Sequence, residues 1–460
     1  MKTAAPAAPL TDNPRNNWHP RRIARQLLGS QLRRNIIFGN LAAVIAASSN
    51  IVAYPVYLHF LGYKGLGVWL ALSIIITAAQ VGNLGVPTAV AKIVAERYGA
   101  GDIQGIRTCV TNALVIVGLV GLIAATGVWL VRDELVAALG LGVEHRQLAR
   151  SLLPYVGALT AYVMCVDSFN ATLAGLGRMD ITSATQATIQ VIGVIVSTVL
   201  LASGHGPESL LAGTAVSYLA SNIVTVTLIR RILSMPVIDI TTIDLLKAAR
   251  ILRFGGWLFG GAVVSLLMSP LSKLMLARYA GVGVLPVYEM AFTGAMRIKG
   301  LLESGLRALM LEVSGALGAG PAKAMAAERK VTRAFHLTLW FGLAIYSFLA
   351  LFSVPLLRAW LGQNLHNELP GAFRMMLAAT FASLLGVPAF YKLLGSGRVK
   401  LCFLASALQA GLSGSILFLF LLAKDTVSIT HTCWAAVASM SASSIYLLWH
   451  GRPAHTGFVL

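Results

Sequence analysis

The chain has 460 residues, with 36 Lys and Arg against 17 Asp and Glu, and a formal net charge of +19. Apolar residues make up 57% of it and charged residues 12%, whereas a soluble domain carries about 25% charged residues. This composition excludes an ordinary soluble protein and predicts an integral membrane protein. The segments between the apolar runs are all too short to form a separate soluble domain.

The chain begins with a basic segment, residues 1–34, that precedes the first apolar run. Residues 20–34 of this segment have the pattern of an amphipathic helix, with Ile23, Leu27, Leu28 and Leu32 on one side and arginines around them. Such a helix is expected to lie on the anionic inner leaflet. The first apolar run is too long for the core of a signal peptide and lacks a cleavage site, so no cleavable signal is predicted.

Apolar runs of 20 or more residues then recur from Asn35 to Trp449. A bilayer core of about 30 Å needs roughly 20 apolar residues per helix. Twelve spans are predicted, at 36–60, 66–92, 108–131, 150–175, 181–203, 208–231, 252–279, 284–312, 332–357, 370–394, 399–423 and 428–449. The predicted fold class is therefore an all-α integral membrane protein with twelve transmembrane helices.

The basic residues are distributed unevenly between the two sides that these spans define. The N-terminal segment, the even-numbered loops and the C-terminus together hold 24 of the 36 Lys and Arg, the odd-numbered loops hold 8, and 4 lie within spans. Cytoplasmic loops carry such an excess, so both termini are predicted to be cytoplasmic. The net charge thus reflects topology, and nucleic acid is not an expected partner.

Three motifs recur along the chain in the same order. "GYKGLGVW" at 62–69 matches "GVGVLPVY" at 281–288, and "YGAGD" at 98–102 matches "LGAGP" at 317–321, both at an offset of 219. "LAGLGRMDI" at 173–181 matches "LLGSGRVKL" at 393–401 one residue later in register. An even number of helices per repeat predicts two parallel six-helix bundles, related by an axis along the membrane normal.

The repeat divides the chain into predicted parts. They are the basic segment 1–34, the first bundle 35–233, a cytoplasmic linker 234–251, the second bundle 252–450 and a cytoplasmic tail 451–460. Transporters built from such repeats hold their substrate between the halves, near the midplane of the membrane.

The predicted eighth span carries an unusual set of charges in "RIKGLLESGLR", 297–307. Lys299, Glu303 and Arg307 follow at i, i+4 and i+8, so Glu303 can contact both cations, while Arg297 has no acidic residue at i±3 or i±4. Glu289 lies nearer the outer end of the span, nearly two turns from Arg297. The corresponding first-half stretch, 78–88, is uncharged.

Each charge at the middle of a bilayer costs at least about 2.5–3.5 kcal/mol. Three cations against Glu303 leave positive charge uncompensated, and Arg and Lys are the usual clamps for phosphate groups. The first interpretation is therefore a binding site for an anionic substrate. The alternative is a structural network that reaches Asp167 and other polar residues.

Two further charged residues lie inside predicted spans. Lys273 follows the "SP" break at 269–270 and either contributes to the same site or extends to the outer surface. Asp167 is the one acid deep in the first half; it either pairs with the cations of the eighth span or carries a coupling proton. The four single cysteines and nine scattered histidines form no metal-ligand pattern, so no metal or cofactor is expected.

Several stretches carry a family resemblance. They are the "N-x-x-x-x-N" start of the first span, "P-x-Y-L-x-F-L-G-Y-x-G-L-G-V-W" at 55–69, "N-L-G-V-P-T-A-V" at 83–90 and the paired "G-x-G-R" turns at 175–178 and 395–398. With these, the chain resembles the polysaccharide-transporter branch of the multidrug/oligosaccharidyl-lipid/polysaccharide flippase superfamily, from about residue 35 to residue 450.

The resemblance implies twelve helices in two bundles around a cation-lined cavity, and a non-enzymatic function. That function is to flip undecaprenyl-diphosphate-linked oligosaccharides, such as O-antigen units, across the bacterial inner membrane. Arg297, Lys299 and Arg307 would be the cavity cations. The implied partners are the lipid-linked glycan, membrane lipids and the polysaccharide polymerase machinery.

Two alternatives remain at this stage. A cation-coupled multidrug antiporter on the same fold predicts acids rather than bases in the cavity, and only Asp167 would serve. A polyprenyl-linked glycosyltransferase or polymerase predicts a large extracytoplasmic loop or an acidic D-x-D site, and the sequence has neither.

Overall fold

The structure is a computed structural model. It describes residues 20–81, 85–141, 143–234, 270–304, 321–424 and 427–451, together with residues 236, 239, 306, 309 and 313.

The first half of the described chain is entirely helical apart from its turns. Its helices are α1 (Pro20–Val81), α2 (Val86–Gly99), α3 (Ile103–Leu130), α4 (Arg132–Ala138), α5 (Val143–Gly175), α6 (Met179–Ala202) and α7 (Glu208–Leu233). Asp102 caps α3, because its carboxylate accepts a hydrogen bond of 2.8 Å from the backbone N–H of Gly105.

The second half is also helical. Its helices are α8 (270–279), α9 (Leu285–Ser304), α10 (Pro321–Leu351), α11 (Ser353–Leu361), α12 (Leu369–Gly395), α13 (Val399–Lys424) and α14 (Ile429–His450), with 3-10 turns at Val282–Val284 and Gly362–Asn364. Ser428 starts α14 with a reciprocal capping arrangement that includes His431.

Eight of the described helical segments are long and apolar enough to cross a membrane. The charged helix α9 is not among them. The all-helical, multi-span class is thus confirmed, while the number of twelve spans remains a prediction.

Two predicted spans differ in detail from the helices observed. The segment 66–92 is not one helix, because Gly85 has a left-handed conformation (φ 69°) immediately before α2. In the segment 284–312, helix α9 ends at Ser304. Helix α1 runs from Pro20, within the basic segment, to Leu61 before its first non-helical residue, Gly62.

Two glycines that are separated by the offset of the sequence motifs share one backbone conformation. Gly62 and Gly281 both have positive φ (61° and 88°) with extended ψ (−177° and 156°). Glycine is needed at positions 62 and 281 because other residues rarely adopt this conformation.

Helices within each half pack through small residues, as is common in membranes. A Cβ added at Gly121 of α3 would lie 2.9 Å from the Cα of Ala161 in α5. A Cβ at Gly386 of α12 would lie 2.7 Å from the hydroxyl of Ser444 in α14. Close backbone approach at these points therefore requires glycine.

The two halves contact each other at one end, which we call the closed end. It contains the kink at Gly62 and the connecting segments 131–141, 280–284 and 352–368, of which the first includes α4 and the last includes α11. The Tyr63 hydroxyl donates a hydrogen bond of 2.6 Å to the carbonyl of Asn364, and Arg278 donates one of 2.5 Å to the carbonyl of Ala137. A buried apolar cluster crosses the same end, with Leu66 and Leu141 from the first half and Leu276 and Leu285 from the second.

A proline shapes one of these contacts between the halves. Pro55 lies inside α1 and has no N–H, so the carbonyl of Ile51, four residues earlier, lacks its helical donor. The indole N–H of Trp360 in α11 donates a hydrogen bond of 2.6 Å to this carbonyl, and its ring packs edge-on against Tyr54. A side chain of the second half thus satisfies a backbone group that the first half leaves open.

Candidate functional site

Helix α9 has an apolar side and a charged side. Val287, Tyr288, Ala291 and Ala295 are buried in the apolar cluster of the closed end, and α9 packs against α12 and α1. The charged residues are thereby left on the remaining circumference. They form two clusters at different depths, one with Glu289 and one with Glu303.

The first cluster, which we call the sealed pair, joins α8 to α9. The Lys273 ammonium lies 2.7 Å from Oε2 of Glu289 and forms an ion pair with it. The geometry of this contact is not that of a hydrogen bond. The two side chains are only 13% and 16% exposed. Oε1 of Glu289 accepts a hydrogen bond of 3.1 Å from Thr293. This pair is electrically neutral and shielded from solvent.

The second group of charges, which we call the cationic face, consists of Arg297, Lys299 and Glu303, with the Arg297 position about 160° around the helix from that of Lys299. Lys299 Nζ lies 3.3 Å from Oε2 of Glu303, as the i, i+4 spacing predicted. The Tyr391 hydroxyl of α12 donates a hydrogen bond of 3.1 Å to Oε1 of Glu303. Glu303 is therefore held by a tyrosine as well as by a cation.

Arg297 differs from its neighbours on the cationic face. Its side chain is exposed, and among the residues that the structure describes it has no carboxylate within 4 Å. Gly300 and Leu301, which lie on the same side of α9, are also exposed. The cationic face consequently carries a net charge of +1, with its surplus on an accessible guanidinium.

The charged side of α9 lies close to the first half. The Tyr54 hydroxyl of α1 interacts electrostatically with both Glu289 and Arg297. Tyr54 is also the residue against which Trp360 packs. Glu289 and Arg297 thus lie near the first half, where α1 meets α9.

Asp167 is half-buried in α5 of the first half. It interacts electrostatically with Tyr218 of α7. Nearby on the same helices, the Asn222 amide donates a hydrogen bond of 2.8 Å to the Tyr162 hydroxyl. Asp167 therefore belongs to a polar contact region between α5 and α7, and its predicted pairing with the cations of α9 stays a prediction.

Three tyrosines of the site were missed from the sequence: Tyr54, Tyr218 and Tyr391. They lie on three helices and have no spacing that relates them to the charged residues. Tyr54 alone has a local signal, because it directly precedes the helix-breaking Pro55. Arg307, the third predicted cation, lies outside the described residues. Within those residues, no group of three His, Cys, Asp or Glu side chains could hold a metal ion.

Solved structures with the same fold are transporters. One is a multidrug resistance MATE family transporter of the MOP superfamily in an inward-facing conformation, with 16% identity, a TM-score of 0.69, and coverage of 92% of this chain and 97% of the other. An outward-facing conformation of a multidrug resistance MATE family transporter has 15% identity and a TM-score of 0.59, with coverage of 91% of this chain and 94% of the other. A third structure is a MOP superfamily transporter from Pyrococcus furiosus, described as having a binding pocket of reverse polarity. It has 14% identity and a TM-score of 0.57, with coverage of 91% of this chain and 94% of the other.

These likenesses establish a MATE-like transporter fold. Comparison with curated protein sequences finds no significant match. The family model described as "Polysaccharide biosynthesis protein" matches residues 32–310, which is more than half of the chain and includes α9. The match confirms the resemblance to the polysaccharide-transporter branch of the superfamily, and the chain belongs to the polysaccharide biosynthesis protein family.

Proposed function

We propose that this protein is a flippase that moves undecaprenyl-diphosphate-linked oligosaccharide units across the bacterial inner membrane. The units are those of O-antigen or another surface polysaccharide. The observation that carries the proposal is Arg297, an exposed guanidinium on α9, within the predicted eighth span, that has no carboxylate neighbour within the described ranges. A guanidinium in that setting favours an anion, and it binds phosphate oxygens in a bidentate manner.

The site is assigned as follows. Arg297 and Lys299, with Arg307 from beyond α9, bind the diphosphate. Lys273 joins the same site when its ion pair with Glu289 opens. Glu289 and Glu303 hold their lysines in place and, with Asp167, govern opening and coupling. No step of this process is chemical catalysis, since the substrate leaves unchanged.

The transport cycle that we propose is alternating access between two parallel six-helix bundles, 35–233 and 252–450. The recurrence of Gly62 and Gly281 supports the two-bundle repeat. The contacts at the closed end support an inward-open state, as does the higher TM-score to the inward-facing transporter. Opening towards the other side would break the contacts of Trp360 and Arg278.

The orientation is part of the proposal: both termini in the cytoplasm and the closed end outside. In a variant without native cysteines, single cysteines replacing Arg178, Arg329 or Arg398 should be protected from an impermeant thiol reagent in intact cells. Cysteines replacing Lys64 or Arg146 should react. Labelling at position 329 from outside would contradict this orientation.

Complementation tests the substrate class. Expressed in flippase-null strains that make chemically different lipid-linked glycans, the protein should restore surface polysaccharide in at least one of them. An empty vector is the control for each strain. Failure in every strain, despite normal expression in the membrane, would contradict the proposal.

A multidrug antiporter is the second candidate, because the matched MATE structures are multidrug transporters. A site for cationic drugs requires a surplus of acids. The described charges of α8 and α9 instead comprise four bases, Lys273, Arg278, Arg297 and Lys299, against two acids, Glu289 and Glu303. Efflux of cationic dyes from a drug-sensitive strain, together with failed complementation, would favour this candidate.

A further inference from the structure

A second concentration of basic residues lies at the closed end, away from α9. Three arginines, Arg132, Arg146 and Arg150, line a cleft of about 670 Å³ between α4 and the first turns of α5. Asp133, Gln147 and Ser151 are the polar residues beside them, and Val136 and Ala137 form its apolar wall. The charges of the lining sum to +2.

This concentration runs against the charge bias of the chain. By the topology predicted from that bias, only eight Lys and Arg belong to this side, and three of them line this one cleft. The other five are Lys64, Arg278, Arg358, Arg374 and Lys424. A general requirement for positive charge would distribute these residues over several loops. Their convergence on one cleft indicates a local purpose.

Contacts within the cleft leave two of the three guanidinium groups available. Arg150 is neutralised by Asp133 through two contacts, of 2.8 and 3.0 Å. The Nε–H of Arg146 donates a hydrogen bond of 3.0 Å to the carbonyl of Leu141, so the terminal nitrogens of its guanidinium remain available as donors. Arg132 has no carboxylate within 4 Å among the described residues, and its guanidinium lies 5.8 Å from the Trp129 ring centre.

The surroundings of the cleft indicate where its ligand comes from. Trp129, Leu130 and Val131 at the end of α3 are 52%, 66% and 46% exposed. Tryptophan and exposed apolar residues at the end of a spanning helix are typical of the membrane–water interface. A ligand that reaches Arg132 and Arg146 from this surface would keep its apolar part in the bilayer.

We propose that this cleft binds the phosphate headgroup of an anionic lipid at the closed-end surface of the membrane. Two sources share this chemistry: a membrane phospholipid and the diphosphate of a lipid-linked substrate. The cleft is separate from the cationic face of α9. It also touches the contact between the halves, since Ala137, which accepts the hydrogen bond from Arg278, is one of its lining residues.

Native mass spectrometry of the detergent-purified full chain tests the site. Phosphatidylglycerol, undecaprenyl diphosphate and zwitterionic phosphatidylcholine are titrated separately. The variant Arg132→Gln with Arg146→Gln should bind at least one of the two anionic lipids about tenfold more weakly than wild type. The phosphatidylcholine titration should be unchanged.

The matched control is Lys64→Gln with Arg358→Gln, which removes the same charge at the same end but outside the cleft. It should bind both anionic lipids like wild type. The anionic lipid that shows the larger loss identifies the source. The phosphatidylglycerol arm does not depend on the proposed substrate, so its result is separate from the success or failure of the flippase proposal.

A third variant tests the sign of the effect. Asp133→Asn removes the one carboxylate of the lining, so the lining charge rises to +3 and binding should tighten by about threefold. Thermal unfolding of each variant checks that it is folded. Equal binding of both anionic lipids by wild type, the cleft variant and the control would overturn the proposal, and so would weaker binding by Asp133→Asn.

Discussion

The sealed pair and the cationic face occupy one helix, yet they are held in opposite ways. Glu289 meets a lysine from another helix, and both charges are almost completely buried. Glu303 meets a lysine one turn away on its own helix, while Arg297 beside them stays exposed. The difference teaches that charges on a membrane helix have to be judged by their partners, since a compensated pair and a surplus cation suit different roles.

Loss of the surplus charge should have the largest effect on transport. We expect Arg297→Ala with Lys299→Ala to reduce glycan export at least about 100-fold, because two charge-assisted contacts to phosphate are lost. The Arg297→Ala change by itself should alter stability little, since Arg297 is exposed. Export is measured as surface polysaccharide per molecule of membrane-inserted protein.

Two matched variants sharpen this result. Arg297→Lys with Lys299 intact should restore part of the export, because the charge remains and the bidentate geometry does not. Arg329→Ala with Arg333→Ala removes the same charge from exposed positions of α10 and should export normally. Wild-type export by the Arg297, Lys299 double variant would refute the assignment of the site.

The sealed pair should matter most for stability. Glu289→Gln leaves the Lys273 ammonium buried without a counter-ion, which costs on the order of 3–5 kcal/mol. The same change at Glu303 should cost less, because its lysine partner lies on the same helix and the Glu303 side chain is 25% exposed, against 16% for Glu289. The measurement is unfolding of the purified protein in detergent.

Removing both members of the sealed pair provides the control. Lys273→Met with Glu289→Gln should recover most of the lost stability, since no buried charge is left unpaired. If Glu289→Gln and Glu303→Gln destabilised the protein equally, the distinction between the two clusters would be wrong.

Asp167 is expected to influence the equilibrium between the two access states. If it pairs with cations of α9 across the halves, Asp167→Asn should change the ratio of the two access states by about tenfold, which corresponds to about 1.4 kcal/mol. Substrate binding should be retained. Spin-label distances across the closed end report the shift. Unchanged populations, with transport no longer dependent on the proton gradient, would instead identify Asp167 as a proton carrier.

The closed end should respond more weakly to a single contact. Trp360→Phe removes the donor to the carbonyl of Ile51. We expect the ratio of closed to open molecules to fall about fivefold, which corresponds to a loss of about 1 kcal/mol. Pro55→Ala restores an N–H for that carbonyl within α1. In the Pro55→Ala background, Trp360→Phe should therefore have little further effect, measured by the same distances. Equal effects in both backgrounds would show that this hydrogen bond does not stabilise the closed end.

The sequence by itself determined the membrane class, the recurring motifs and the location of the unusual charges. These follow from composition and from spacing along one helix, which is why the Lys299–Glu303 contact was predictable from an i, i+4 interval. The resemblance drawn from short motifs was sufficient to indicate the family, since all of those motifs except the second "G-x-G-R" turn, at 395–398, lie within the matched residues 32–310.

Only the tertiary structure decided which charges are neutralised. Lys273 and Glu289 belong to different helices, Tyr391 reaches Glu303 across 88 positions, and Trp360 reaches Ile51 across 309. Spacing along the chain carries no information on such pairs, because they depend on how helices pack and on where glycines such as Gly62 and Gly85 interrupt them. The packing of α8, α9 and α12 therefore divided a row of similar charges into a neutral pair and an exposed cation.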